Sequence, residues 1–268
     1  MKRNHPCRRL KKAFNGCQED KTAPPPLIGD EVYNQVSHVE VTYGKAVKHS
    51  GVKNIWKKKS IFFELPYWSK LDVRHCIDVM HVEKNVCDSI IGTLLNIKGK
   101  KKDGINARKD LFEMGVQFEL RPQPHCKQMY LPPTCHTLSK YEKISFCGCL
   151  RGVKAPQGYS SNIKSLVSME DLKLIGLKSH DCHVLMQDLL LVVICGILPK
   201  SFRQVITCLC LFFNAICRKV IDPTRMDELE NEPIIILCQQ EMYFPPSFFD
   251  IMVHLIVDLV REIRIFGY

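Results

Sequence analysis

The 268-residue chain has no Cys-x-x-Cys pair, only two tryptophans, and no apolar stretch long enough to cross a bilayer. A spanning helix takes roughly 20 apolar residues. The strongest run here, Leu189–Leu198, is shorter, and Pro199, Lys200 and Arg203 interrupt it before Phe212 and Phe213. It reads as buried helix, and no membrane partner is expected. No apolar run of seven or more occurs within the first thirty positions, which excludes a secretory signal peptide. Glu19, Asp20 and Pro24-Pro25-Pro26 also fit a transit peptide poorly. There is no phosphate-binding glycine loop, no His-Glu-x-x-His and no Gly-x-Ser-x-Gly, so the commonest nucleotide, zinc-protease and hydrolase signatures are absent.

Fourteen cysteines without a signal peptide point to a reducing compartment, nuclear or cytoplasmic, where thiols act as small hydrophobes or metal ligands. Structural zinc sites show ligand pairs two to four residues apart, repeated at a second place. The nearest approaches are Cys147 with Cys149, His180-Asp181-Cys182-His183, Cys135-His136 and His125-Cys126, and none repeats that spacing. Buried or incidental thiols are the expectation, with Cys208, Cys210 and Cys217 in the core, and no cofactor is expected.

What is present is a globular composition with an uneven charge. The chain is 46% hydrophobic and 25% charged, with a formal net charge of +10. Residues 1–60 hold 13 Lys/Arg against 5 Asp/Glu, a net of +8, which leaves +2 for everything after. That segment carries the cations Lys2, Arg3, Arg8, Arg9, Lys11 and Lys12, then Lys57, Lys58 and Lys59, and no helical or strand period persists in it. It reads as a basic, partly disordered arm and the candidate nucleic-acid-binding segment. Packed structure is expected from Ile61-Phe62-Phe63 onward.

Beyond the arm, helix signals accumulate. Val82, Val86, Cys87, Ile90, Ile91, Leu94 and Leu95 recur at helical spacing, ended by Gly99 and the charged run Lys100–Gly104. Ser139-x-x-Glu142, Ser168-x-x-Asp171, Thr224-x-x-Asp227 and Ser247-x-x-Asp250 each have the form of a helix N-terminal capping box. Ile251, Met252, Leu255, Ile256, Leu259 and Ile263 form an apolar stripe, with His254 and Asp258 beside it. Ile234-Ile235-Ile236-Leu237 fits a short strand or a helix start equally. The reading is mainly α with few short strands, divided into an arm (1–60), a middle domain (61–178) and a helical C-terminal domain (179–268).

One stretch carries candidate chemistry. Asp78 and His81 are three apart, a spacing that puts both on one helix face, where carboxylate and imidazole can share a metal or a proton. The same Asp78 equally suits an N-cap.

Longer strings carry a resemblance. Phe62–Trp68 (Phe-Phe-Glu-Leu-Pro-Tyr-Trp), Arg74–Asp88, Leu131-Pro132-Pro133, Pro156–Asn162, Gly176–His183 and Glu241–Asp250 resemble, in order along the chain, plant CACTA-type (En/Spm) transposon proteins. The resemblance implies a fragment of a ribonuclease-H-like transposase core with a helical insertion, in which acidic residues hold divalent metal, Mg2+, for DNA strand cleavage. It makes Asp78 and His81 the Asp-x-x-His signature that follows the family's second catalytic aspartate, and Glu241 a candidate for the final acid. In the family the first two aspartates precede the basic stretch, so Met1 is expected to start inside the domain, with those ligands missing. The segment from Ser179 resembles a plant domain of unknown function, expected to be cut short at Gly267-Tyr268. Cys76 stands where relatives usually carry Asn.

Three functions follow as expectations. The first is a truncated transposon-derived protein without catalysis of its own, retaining non-specific DNA affinity and taking no small-molecule substrate. The second is a metal-dependent transposase or nuclease subunit that takes the missing aspartates from an upstream segment or a partner. The third is a helical interaction module using Phe212, Phe213, Phe248 and Phe249.

Overall fold

The computed structural model describes residues 27–39, 59–71, 76–125, 128–154 and 161–266, together with residues 10, 14, 16 and 25. It is mainly helical, with two small antiparallel ladders, and it divides into two compact units. One is Lys21–Cys76; the other runs from Ile77 to the C-terminus and includes residues 1–20.

In the smaller unit, α1 (Gly29–Val36) forms within the segment read as an arm, and two 3-10 turns follow at Ile61–Glu64 and Trp68–Lys70. Its packing is aromatic: Tyr33 meets Phe63 at 5.9 Å between ring centroids, and Phe62 stacks on Trp68 at 4.7 Å. Ile61 and Phe62 stay exposed and Phe63 is half-buried, so the packing expected from Ile61 onward is limited here to these aromatic contacts, and the extensive core lies in the other unit.

That core is built around α2 (Val79–Leu94). Ten of its sixteen residues are buried, on more than one face, which is what a central helix requires. Asp78 starts it, with Oδ1 accepting the His81 N–H at 3.2 Å. The charged loop then folds back so closely that a Cβ at Gly92 would lie 2.7 Å from Lys100 Cβ, and only glycine leaves room for it. A short helix α3 (Ile105–Glu113) precedes the ladder of β1 (Gln123–His125) and β2 (Gln128–Tyr130), paired Gln123 with Tyr130.

Helix α4 (Lys140–Gly152) opens with a complete capping box: Ser139 Oγ accepts the Glu142 N–H, and Glu142 Oε2 accepts the Ser139 N–H at 2.8 Å. The short α5 (Ile163–Leu166) leads into β3 (Val167–Ser168) and β4 (Lys173–Leu174). The Ser168–Asp171 pair therefore closes a hairpin turn and caps no helix, with Ser168 Oγ accepting the Asp171 N–H at 3.2 Å. The same local hydrogen bond serves turns and caps alike.

Helix α6 (Ser179–Val184) packs on α2 and passes through a π-helical turn (Leu185–Leu189) into α7 (Leu190–Val193). Helix α8 (Lys200–Ile216) buries Phe202, Val205, Ile206, Leu209, Cys210, Phe212, Phe213 and Ile216, an amphipathic set facing the core. Phe212, Phe213 and Phe248 are core, and Phe249 packs against it half-buried. Helix α9 (Met226–Glu241) contains Ile234–Leu237 in its interior, so the strand alternative is excluded. Its buried residues Leu229, Pro233, Ile236, Leu237 and Gln240 keep helical spacing, and packing on α8 and on α11 (Ile256–Phe266) outweighs the Pro233 penalty.

Two further capping expectations are corrected. Asp222 accepts the Thr224 N–H at 2.9 Å and caps the turn before α9, while Thr224 donates its hydroxyl to the same Asp222 Oδ1. Asp250 caps α10 (Ile251–His254), and Ser247 Oγ instead donates to the Lys102 carbonyl. No helix among the described residues is long and apolar enough to cross a membrane.

Candidate functional site

Among the residues singled out as candidate catalysts, Asp78 and His81 meet through the backbone. The Asp78 carboxylate holds the His81 amide, while both side chains are exposed. Glu241 lies at the exposed C-terminal end of α9, its carboxyl raised above the ordinary range by desolvation and drawn back by nearby His254. A magnesium ion takes a near-octahedral set of oxygen donors. Asp78, His81 and Glu241, as placed, do not supply one: none of them belongs to a cluster of three potential ligands among the described residues.

Of the residues proposed for DNA contact, Lys59 is described. It pairs with Glu64 at 3.1 Å, lies 5.8 Å from the Tyr33 ring centroid, and is only 13% exposed. Lys2, Arg3, Arg8, Arg9, Lys11, Lys12, Lys57 and Lys58 lie outside the described residues.

The string Glu241–Asp250 is accounted for by packing. Phe244 stacks on Phe248 at 3.9 Å and meets Phe202 at 5.2 Å, and the Tyr243 carbonyl faces His136 Nδ1 at 2.8 Å. His136 Nε2 lies 3.0 Å from Asp103 Oδ2, and Arg108 grips both Asp103 oxygens through Nε and, at 2.7 Å, Nη2. Arg108 also donates to the Leu120 and Pro132 carbonyls. All three side chains are buried. Burial alone would raise the Asp103 carboxyl, but hydrogen bonds from His136 and Arg108, with their charges, hold it well below the usual aspartate range. This is a closed ionic lock tying the loop before α3 to the loops before α4 and after α9. Beside it a cavity of about 350 Å3, lined by Gln117, Thr134, His136 and Tyr243 among others, opens toward the surface.

A second buried carboxylate is held differently. Glu83 occupies a position on the buried side of α2, in helical register with Val86, Cys87 and Ile90, and has no exposed surface. Its Oε2 lies 2.7 Å from His183 Nδ1 on α6, and its Oε1 accepts a longer bond, 3.4 Å, from Gln187 Nε2 in the π-helical turn. Cys217, at the C-terminal cap of α8, completes the group: one ligand atom from each of Glu83, His183 and Cys217 lies within 4.8 Å of the others. Burial and the Glu83 charge push the Cys217 thiol up to about 12, while Gln187 donates toward it. No other grouping of three His, Cys, Asp or Glu side chains of this kind occurs among the described residues.

Sequence spacing misplaced these residues. His183 belonged to the run His180–His183, but its neighbours there point elsewhere: Asp181 is bonded to the Ser161 hydroxyl at 2.7 Å and to the Lys178 amide at 2.9 Å. Cys217, expected in the core, is only half-buried. One local signal was available for Glu83, since a charged residue on an apolar helical stripe must find a partner.

Residues 216–268, from the last residue of α8 through α11, match DUF4218, a domain of unknown function found in plant transposon-related proteins. No curated protein and no solved structure matches the chain.

Proposed function

We propose that the protein is transposon-derived and handles DNA electrostatically through its basic N-terminal residues, with the helical body acting as scaffold and carrying no strand-cleaving centre of its own at Asp78, His81 and Glu241. The CACTA-type, ribonuclease-H-like ancestry of residues 61–178, and a nuclear site of action, belong to the same proposal. The observation that carries it is the charge partition: +8 of the net +10 lies in residues 1–60, while the remainder is nearly balanced. The engagement of Asp78 as a helix cap supports the non-catalytic half.

Binding of this kind releases counterions from DNA, so log affinity falls linearly with log salt in proportion to the phosphates neutralised. The test is a salt titration of the full chain on duplex DNA. Lys57→Ala and Lys58→Ala should each lower the slope by about 1. Lys59→Ala should leave it nearly unchanged, because that ammonium is already paired with Glu64. Absence of binding at low salt, or a slope indifferent to Lys57 and Lys58, contradicts the proposal. Magnesium-dependent nicking that disappears on Asp78→Asn would contradict its non-catalytic half.

A further inference from the structure

We propose that Glu83, His183 and Cys217 form a binding site for a divalent transition metal, with zinc the ion whose chemistry fits best. The donor set is one carboxylate oxygen, one imidazole nitrogen and one sulfur, their ligand atoms within 4.8 Å of one another. Zinc takes this mixture in tetrahedral geometry, and thiolate and imidazole select it over magnesium or calcium, which prefer oxygen. Three protein ligands leave a fourth position for water, the pattern of an open zinc site.

Three features of the surroundings support a cation here. Glu83 is fully buried, and among the described residues no lysine or arginine pairs with it; the half-exposed His183 lies at hydrogen-bond distance, 2.7 Å. A buried carboxylate needs compensating charge, and a bound cation supplies more of it than one imidazole. Cys217 stands where the 17-residue helix α8 ends, at the terminus where the helix dipole carries its negative charge. Gln187, on a π-helical turn, donates to Glu83 Oε1 at 3.4 Å and so helps to orient this ligand. Turns of this type are rare and recur at functional sites.

Access and sequence reach also fit. His183 is 34% exposed and Cys217 half-buried, which gives an ion a path in while Glu83 sits at the bottom. The ligands come from α2, α6 and the end of α8, so a bound ion would fasten three helices of the core together. Cys217 falls within the segment that matches DUF4218, while Glu83 and His183 lie outside it, so the site depends on both parts of the chain.

The test uses the full chain, reduced without a competing thiol and stripped of metal. Cobalt(II), which reports thiolate ligation by a near-ultraviolet charge-transfer band, should bind with one equivalent showing single-thiolate intensity, and zinc should displace it while magnesium does not. Cys217→Ser should abolish the band and weaken zinc on the order of a hundred-fold or more, and Gln187→Ala should weaken it about 10–100-fold with all three ligands intact. Cys149→Ser, at an exposed thiol on α4, should change neither. No thiolate band in the wild type, or a band that survives Cys217→Ser, overturns the site. If Cys217→Ser does not fold, the wild type decides: its unfolding temperature should rise with zinc and not with magnesium, and no rise overturns the proposal.

Discussion

Of the three carboxylates that the helical body buries beside a histidine, Asp103, Glu83 and Asp181, the first two sit in environments that could hardly be more different. Asp103 is surrounded: Arg108 takes both its oxygens, His136 one, and the outer faces of Arg108 and His136 are spent on the Leu120, Pro132 and Tyr243 carbonyls. Glu83 has one short bond, to His183, one long bond, to Gln187, and a thiol nearby. The first group has its carboxylate gripped by a guanidinium and an imidazole and no free direction. The second has a buried carboxylate held by two hydrogen bonds, with a half-buried imidazole and a half-buried thiol beside it. Neighbouring charge and geometry, more than burial, separate a structural lock from a site with capacity for a ligand.

The comparison breaks most visibly at Arg108. Arg108→Ala leaves Asp103 buried without its main partner, and removing one member of a buried pair costs about 3–5 kcal/mol. Chemical denaturation of the metal-free protein should register that as a large fall in midpoint. The lock should next appear in acid. Because the native Asp103 carboxyl lies below its unfolded value, the unfolded state takes up a proton first. The Asp103 contribution is therefore complete above about pH 4 and is lost as pH falls further. Asp103→Asn should flatten the acid limb of stability against pH below that point; an unchanged limb would place the acid sensitivity elsewhere.

At the second group the metal-free effects should be smaller. Glu83→Gln keeps the size and one acceptor for His183, exchanging a charge-assisted hydrogen bond for a neutral one at a cost of about 1 kcal/mol. A loss as large as that of Arg108→Ala would show Glu83 to be part of a second lock. The smallest effect is expected from Asp78→Asn. Asp78→Ala should cost about 1 kcal/mol as a lost cap, whereas Asp78→Asn, an equally good cap, should cost a few tenths at most. Equal losses in the two variants would show that its charge matters beyond capping.

How much of this was legible in the sequence follows the range of the interactions. The apolar period of α2, the Ser139–Glu142 box of α4 and the amphipathic C-terminal stripe are local, set by residues three and four apart, and their helices could be read directly. The Asp78 cap was one of two local readings, and the cap is formed, with Asp78 Oδ1 accepting the His81 amide. The errors and the open readings fall where one local pattern serves two structures. Ser168–Asp171 makes the same hydrogen bond in a hairpin that it would make in a cap, and the isoleucines after Pro233 suit a strand until α8 and α11 bury the helical face. Neither buried group could be read from spacing. Glu83 finds His183 a hundred positions away, His136 is 33 positions from Asp103, and Cys217 joins only through the packing of α8. Side chains converging from separate helices leave no periodic trace. A charge at an apolar position, as at Glu83, signals that a partner exists without saying which.

The difference between the two groups is tested most directly by X-ray absorption at the zinc edge on the zinc-loaded full chain. The account predicts one sulfur at about 2.3 Å with nitrogen and oxygen neighbours at about 2.0–2.2 Å, and loss of the sulfur shell in Cys217→Ser. A shell of several sulfurs, a shell without sulfur, or a sulfur shell that persists in Cys217→Ser would contradict it.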